Sequence, residues 1–247
     1  MNSWANIKTI AKRELGAYFT SPVAYVFIVI FLLLCGFFTF RLGQFFERND
    51  ASLLSFFVYH PWLFLFLVPA VGMRLWSEER RSGTIELLLT MPITAWQAIV
   101  GKFLASWLFL VLALALTFPL WISVNYLGNP DNGAIFCGYI GSALMAGAYL
   151  SIASMTSAMT RNQVIAFIVS VVICFFLILA GWQPVTTLLD SLGVVWLRNL
   201  VASLGVMTHF DAFQRGVIDA RDVLFFLSLI GFALFSTGVI IRSRRAG

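Results

Sequence analysis

Long apolar blocks, each close to the length of a membrane-crossing helix, constrain this chain more than any other feature. An α-helix needs roughly 20 apolar residues to cross a hydrocarbon core ~30 Å thick. Only 11% of the residues are charged, against about 25% in soluble domains. The sequence therefore predicts an all-α integral membrane protein with six transmembrane helices. The predicted spans are 22–40, 57–73, 103–126, 134–158, 163–182 and 223–241.

The distribution of Lys and Arg predicts the orientation. An even number of spans puts both termini on one side, and cytoplasmic loops carry an excess of these residues. Of the 16 Lys and Arg residues, the side opposite the termini holds Arg41, Arg48, Arg198, Arg215 and Arg221. Both termini are therefore predicted to be cytoplasmic. Attraction to anionic membrane lipids explains the pI near 9.4 without a nucleic-acid partner. No separate soluble domain is visible, so residues 1–247 are predicted to form one domain.

Residues 1–21 have the pattern of an amphipathic helix. Apolar side chains recur at helical spacing at Trp4, Ile7, Ala11, Leu15 and Tyr18. Three basic residues face elsewhere: Lys8, Lys12 and Arg13. This pattern predicts an elbow helix on the inner leaflet, ahead of the first span. A positively charged flank of that span is the alternative.

The cytoplasmic connection 74–97 contains the densest run of mixed charge in the chain. Its charged residues are Glu78, Glu79, Arg80, Arg81 and Glu86, and its apolar stripe is Ile85, Leu88 and Leu89. Gly83 and Thr84 lie between Arg81 and Ile85, and Gly83 either allows a close backbone approach or ends a helical turn. A solvated loop would explain the charges but not the apolar stripe. Exposed apolar residues beside charges predict a short helix that docks on a partner.

The external segment 183–222 is longer than an ordinary connection. It is rich in Leu, Val and Trp, which predicts short helices at the outer leaflet between spans five and six; a small cap without a transport role is the alternative. Candidates for an external or substrate path are His60, Trp62, His209 and Arg215. For His60, an interfacial histidine beside an aromatic anchor is the alternative interpretation.

In the fourth predicted span, small residues form one face, which permits close helix contact. They are Gly138, Gly141, Ser142, Gly147, Ser151 and Ser154. Packing within one chain and a dimer seam both fit this face, and the first is the commoner use.

Several motifs are absent from the sequence. No phosphate-binding loop precedes Gly101-Lys102, and neither histidine belongs to a metalloprotease pattern. The three cysteines have no metal-ligand spacing. The chain is therefore expected to have no catalytic site and to bind no cofactor or metal. No acidic or basic residue falls in the core of a predicted span, which weakens secondary transport.

The segment 73–93 resembles the signature of type-2 ABC exporter permeases. It contains the run E-R-x-x-G-T-x-E-x-L-L from Glu79 to Leu89 and is followed by Gly101-Lys102. Within that class, segments 14–25 and 210–223 resemble the gliding-motility permeases of the GldF-like subgroup. These three regions are spread over nearly the whole chain.

The resemblance implies a six-helix permease with an elbow helix, a cytoplasmic coupling helix and external helices, in the bacterial cytoplasmic (inner) membrane. It implies two ATP-binding subunits, which bind ATP and Mg, and a second permease copy or a related membrane subunit. It also implies a GldG-like companion with a large extracytoplasmic domain. The expected function is coupling of partner ATP hydrolysis to export or to extracytoplasmic remodelling. A secondary transporter or channel and a non-transporting membrane scaffold are the alternatives.

Overall fold

The structure, a computed structural model, describes residues 3–47, 52–84, 93–191 and 195–243, without the side chains of residues 195 and 197. Within these ranges the chain forms α-helices and no strand. The helices are α1 (Ser3–Thr20), α2 (Pro22–Phe37), α3 (Leu54–Phe57), α4 (His60–Gly72), α5 (Arg74–Ser82), α6 (Ala95–Ala115), α7 (Phe118–Leu127), α8 (Asn132–Met159), α9 (Gln163–Gly181), α10 (Gln183–Ser191), α11 (Val195–Ser203), α12 (Val206–Gln214) and α13 (Ala220–Ser243).

Five helical segments of the described chain are long and apolar enough to cross a membrane. They are Pro22–Leu42, Ala95–Leu127, Asn132–Met159, Gln163–Gly181 and Ala220–Ser243. The first joins α2 to a π-helical turn at Phe38–Leu42, and the second joins α6 to α7. The all-helical membrane architecture is thus confirmed, whereas a count of six spans is not.

The predicted span 57–73 corresponds to α4, which is too short to cross a membrane alone. Its 13 residues reach about 20 Å at a rise of 1.5 Å each. A turn at Met73 separates it from the charged helix α5. Most of α4 is buried, with Gly72 against Ala153 of α8.

The helix that contains most of the predicted span 103–126 starts earlier than that span, because α6 begins at Ala95. Thr94 and Gln97 form a capping box there: each side chain accepts a hydrogen bond from the other's backbone N–H, at 3.3 and 3.1 Å. Lys102 therefore lies inside a candidate membrane helix. It lies near the start of that helix and outside the core of the predicted span 103–126. Pro119 lies in the first turn of α7 and marks the break after α6.

The helix α8 is the centre of the bundle and contacts α4, α5, α6, α9, α12 and α13. Its small residues explain how so many helices pack on it. A Cβ atom at Gly138 would lie 2.6 Å from the ring of Phe57, and one at Gly141 would lie 2.6 Å from Phe213. Intramolecular packing of the small-residue face is thereby confirmed.

The N-terminal segment is helical, as predicted, and α1 packs along α6. Tyr18 stacks on Phe109 with the ring centroids 5.0 Å apart. Gly101 leaves room for Ile10, whose Cγ2 would be 2.7 Å from a Cβ atom there. The partly buried face of α1 is thus turned to α6, while its orientation to a membrane stays a prediction.

The external segment contains α10, α11 and α12 in its described residues, in agreement with the predicted short helices. The helix α12 packs on α8 through Phe210 and Phe213, both fully buried. In α10 no residue is buried. The segment therefore joins the bundle mainly through α12.

Candidate functional site

The helix α5 begins where α4 breaks, and a serine from another helix caps it. The first N–H groups of a helix have no acceptor within it. Ser157 of α8 accepts hydrogen bonds from the backbone N–H groups of Trp76 and Ser77, both at 3.0 Å. The same hydroxyl donates to the carbonyl of Met73 at 2.8 Å. One side chain of α8 thus satisfies backbone groups on both sides of the break.

A second serine of α8 fixes the largest side chain of α5. The indole of Trp76 is 1% exposed and donates through Nε1 to Ser154 Oγ at 3.0 Å. Arg80, one turn further along α5, donates to the carbonyl of Ala158. The buried face of α5 is therefore attached to the end of α8 by side-chain hydrogen bonds along its length.

Lys102 of α6 links three elements that are far apart in the sequence. Its ammonium group lies 2.8 Å from Glu79 Oε1 of α5 and 3.4 Å from Glu14 Oε2 of α1. The side chain of Lys102 is only 7% exposed, and its charge lies 5.6 Å from the centroid of the Trp76 ring. A buried cation needs such partners, because removal from water is costly. We call Glu14, Lys102 and Glu79 the ion triad.

A hydroxyl pair continues this connection along α6. Tyr18 of α1 and Ser106 of α6 share a hydrogen bond of 2.8 Å, and Ser106 donates to the carbonyl of Lys102 at 3.0 Å. Burial raises the pKa of the Tyr18 hydroxyl, while the bond to Ser106 acts in the opposite direction. Tyr18 therefore stays protonated at neutral pH.

The far end of α5 is exposed. Arg81, Ser82, Gly83 and Thr84 all face solvent. Gly83 has a φ of 73° and nothing within 4 Å of where its Cβ would be, so it ends the helix in the left-handed conformation and does not serve a close approach. The predicted docking residues Ile85, Glu86, Leu88 and Leu89 lie outside the described residues.

The exposed end of α5 is next to the connection between α8 and α9. Arg81, Arg161 and Asn162 line a shared cavity of about 470 Å³. Gln163 donates to Glu78 Oε2 at 3.3 Å. Arg161 had no signal in the sequence beyond its charge, because only the folding of α8 onto α5 brings it to this surface. We call Arg81 and Thr84 at the end of α5, together with the neighbouring Arg161, the exposed surface of α5.

The structure divides the charged residues of the predicted docking helix into two groups. Glu79 is turned inward to Lys102, and Arg80 bonds to Ala158. Glu78 and Arg81 are exposed. No signal in the sequence indicated that Glu79 would be turned inward to Lys102 and Glu14.

The four basic or aromatic residues singled out in α1 are exposed. Trp4 is 75% exposed, and Lys8, Lys12 and Arg13 also face solvent. Arg13 forms an ion pair of 3.0 Å with Glu14. Trp4 therefore does not share the packed face of α1, although the apolar spacing groups it there.

The candidates for an external path do not form one site. His60 is 1% exposed, donates through Nδ1 to the carbonyl of Phe56 at 2.9 Å, and is surrounded by aromatic rings. Trp62 is partly buried against Trp182, with ring centroids 6.0 Å apart. Arg215 is exposed and pairs with Asp211.

Both ring nitrogens of His209 have a partner. Nδ1 lies 2.6 Å from Asp222 Oδ1 of α13, and Nε2 lies 3.0 Å from the carbonyl of Ser203. The ring also stacks on Phe225 at 4.0 Å. His209 therefore joins α11, α12 and α13, which is a structural role.

In the described ranges, no three His, Cys, Asp or Glu residues lie close enough together to hold a metal ion. The three cysteines are buried and unpaired. The site is therefore the helix α5, which is fixed to α8 at one end and exposed at the other.

Comparison with protein families gives one match. The family model described as ABC-2 family transporter protein matches residues 46–203, which include α5 and the whole of α8 and α9. No curated protein matches the chain.

Proposed function

The chain belongs to the ABC-2 family of transporter proteins, and on that premise we propose that it is the membrane permease subunit of an ATP-binding-cassette exporter. It would couple ATP hydrolysis by a partner subunit to export or to remodelling on the far side of the membrane. The chain itself carries no phosphate-binding loop. Energy must therefore reach it through a protein contact.

The observation that carries this proposal is the division of α5 into a buried and an exposed end. Trp76 and Ser77 bond to α8, and Glu79 bonds to Lys102 of α6. Arg81 to Thr84 face outward. A partner that binds the outward end would pull or push on three helices of the bundle at once.

The proposed mechanism is a rigid transfer of movement. When the ATP-binding subunits close, the exposed surface of α5 moves with them, and α5 carries α1, α6 and α8 as one body. Packed elements respond to such forces by switching between discrete arrangements rather than by bending. Charges at Arg81 and Arg161 would set the register of docking, and the apolar residues Ile85, Leu88 and Leu89 would supply area.

The assembly proposed from the family has two ATP-binding subunits and two permease chains. The second permease is a copy of this chain or a related subunit, and a GldG-like companion fits the resemblance to the GldF-like subgroup. The end that carries α5 would face the cytoplasm of a bacterial cell, with both termini there. The sixth crossing would be made by α4 with its neighbours.

The experiment that tests the proposal is co-expression with an ATP-binding subunit encoded next to this chain. Arg81→Glu reverses a charge on the exposed surface of α5, so we expect at least about tenfold weaker association of the two subunits. Lys12→Glu is the matched control, since it reverses an exposed charge of α1. Association and ATP turnover should be normal in the control.

Two outcomes would overturn the proposal. The first is unchanged co-purification and ATP turnover for Arg81→Glu together with Arg161→Glu. The second is solute movement driven by an ion gradient in liposomes that contain this chain alone, which would indicate a secondary transporter or channel.

A further inference from the structure

A buried pair of titratable residues at the junction of α11, α12 and α13 has no part in the proposed coupling. Nδ1 of His209 in α12 lies 2.6 Å from Oδ1 of Asp222 in α13, and the two side chains are only 6% and 12% exposed. Nε2 of the same ring lies 3.0 Å from the carbonyl oxygen of Ser203, the last residue of α11. The imidazole is thus placed between two oxygen atoms that belong to two other helices.

These two contacts determine how many protons the pair holds. A backbone carbonyl only accepts hydrogen bonds, so the bond to Ser203 requires an N–H group at Nε2. A neutral imidazole then has no hydrogen left for Nδ1. The short contact between Nδ1 and the carboxylate therefore needs a second proton, carried either by the ring or by Asp222. In both forms the pair of His209 and Asp222 has no net charge.

The position of the ring at the end of α11 supports this protonation state. The carbonyl groups at the carboxyl end of a helix carry a partial negative charge, which favours a cation nearby. His209 binds the carbonyl of the last residue of α11 through one nitrogen. The carboxylate of Asp222 attracts a positive charge at the other nitrogen. The doubly protonated ring is therefore stabilised at both nitrogens.

The remaining charged groups on the elements around the ring occur in equal numbers of each sign. They are Arg198 and Asp190, which pair between α11 and α10, Asp211 and Arg215, which pair within α12, and Asp219 and Arg221, which precede Asp222 and line a cavity with it. The helices α8 and α9, which also pack on α12, contain no charged residue. The protonation of the pair is therefore governed mainly by its own two contacts.

Water reaches the pair through a cavity of about 500 Å³. His209, Asp222 and Ser203 line this cavity together with Asn199 and Arg221, and the last two are exposed. The pair can therefore exchange protons with its surroundings, although both of its side chains are largely buried.

Loss of one proton leaves a neutral imidazole with a single N–H group beside an ionised carboxylate. Hydrogen bonds to charged acceptors are roughly twice as strong as those to neutral ones, so Asp222 keeps the N–H group. The lone pair of Nε2 then faces the carbonyl oxygen of Ser203, and this contact becomes repulsive. The link that breaks is therefore the one to α11.

The helix α11 depends on this link for its position. None of its described side chains is buried, and the ion pair of Arg198 with Asp190 is almost half exposed. The helix has 9 residues, and isolated helices of this length are marginal. The carboxyl end of α11 should therefore fray when the bond from His209 is lost.

We propose that His209 and Asp222 form a pH-sensitive switch, which holds the carboxyl end of α11 while the pair carries both protons and releases it when one proton is lost. The bond to α11 is therefore present at low pH and disappears as the pH rises. The switch sets the position of α11 relative to α12 and α13, and it stands independently of the proposed function.

The test is amide hydrogen exchange of the purified chain in detergent, measured by mass spectrometry. The pH is varied between about 5.5 and 9.5, a range that includes the ordinary titration of imidazole, and the rates are corrected for the pH dependence of chemical exchange. We expect the protection of the amides of residues 199–204 to fall at least about fivefold as the pH rises, because one hydrogen bond is lost. Protection in α8 should stay the same.

The variant Asp222→Asn distinguishes the switch from a merely structural bond. The asparagine amide can donate to Nδ1, and a neutral imidazole then donates through Nε2 to Ser203. Both bonds are kept without the second proton, so the protection of α11 should be high and independent of pH. Asp219→Asn is the matched control, since it changes a carboxylate of the same cavity that is not the partner of His209. It should keep the pH dependence of the unmodified chain.

Equal protection of α11 at the two ends of the pH range in the unmodified chain would overturn the inference. So would a loss of protection with rising pH in Asp222→Asn as large as that of the unmodified chain. The measurement needs no ATP-binding subunit, so its outcome is separate from that of the test of ATP coupling.

Discussion

The two ends of the helix bundle are held together in different ways. At the end that carries α5, side-chain hydrogen bonds cross between distant parts of the chain, as from Trp76 to Ser154. In α10 and α11, the hydroxyls of Thr186, Ser191 and Ser203 bond to carbonyls of their own helix. The first pattern ties several helices into one body, whereas the second leaves each helix to pack by its apolar face.

Side-chain bonds between elements also occur away from α5, and the bonds of His209 are an example. His209 bonds to Asp222 and to the carbonyl of Ser203. It anchors α12 to α13, while α10 has no buried residue. The α5 end is therefore suited to transmit force, and the helices of the predicted external segment are suited to present a surface.

The largest effect on this contrast is expected from Lys102→Met. Without the ammonium group, Glu14 and Glu79 lie close together in a largely buried site with no shared cation. The free energy of unfolding should fall by about 3–5 kcal/mol, the usual cost of removing one partner of a buried pair. Unfolding of the detergent-solubilised protein by sodium dodecyl sulfate measures it.

The control for that change is Lys12→Met, because Lys12 is exposed on α1 and should change the unfolding free energy little. Equal stabilities of the two variants would mean that the ion triad does not hold the α5 end together.

A smaller effect is expected from Ser157→Ala. The backbone N–H groups of Trp76 and Ser77 would lose their acceptor while staying buried, at a cost of about 2 kcal/mol. Amide hydrogen exchange at Trp76 and Ser77 should become faster, and exchange in α12 should not change.

Ser142→Ala is the matched control in the same helix. Ser142 is buried and its hydroxyl has no partner among the described residues, so its removal should leave exchange in α5 unchanged. If Ser142→Ala accelerated exchange in α5 as much as Ser157→Ala, the cap on α5 would be refuted.

The smallest effect is expected from Arg198→Ala in the external helices. The ion pair of Arg198 with Asp190 measures 3.2 Å, and both side chains are almost half exposed. Such pairs contribute about 0–1 kcal/mol. A loss of about 2 kcal/mol, the size expected for Ser157→Ala, in the sodium dodecyl sulfate titration used for Lys102→Met would remove the contrast between the two ends.

Much of the fold was predictable from the sequence, because length and apolar composition identify membrane helices directly. The span 163–182 agrees with α9 (Gln163–Gly181) to within one residue. The start of α6 was not predictable from hydropathy, since Gln97 and Lys102 lower it while packing on α1 keeps the segment helical. The shortness of α4 also depends on tertiary packing.

The candidate site was predictable only in part. The charged run around Glu79 pointed to α5, but charge alone does not distinguish a residue turned to a partner from one turned inward. That distinction depends on Glu14 and Lys102, which are 88 residues apart and meet only when α1 packs on α6. Ser157 was hidden for the same reason, since a serine in an apolar helix is ordinarily a packing residue.

Cross-linking of α5 to the start of α9 tests whether α5 moves with the bundle as one body. Cysteines at Glu78 and Gln163, whose side chains are 3.3 Å apart, would be joined by a short bis-maleimide; the native cysteines are buried. We expect the complex with its ATP-binding subunit to hydrolyse ATP at the same rate before and after cross-linking. Loss of ATP turnover on cross-linking would show that α5 moves independently and would contradict rigid transfer.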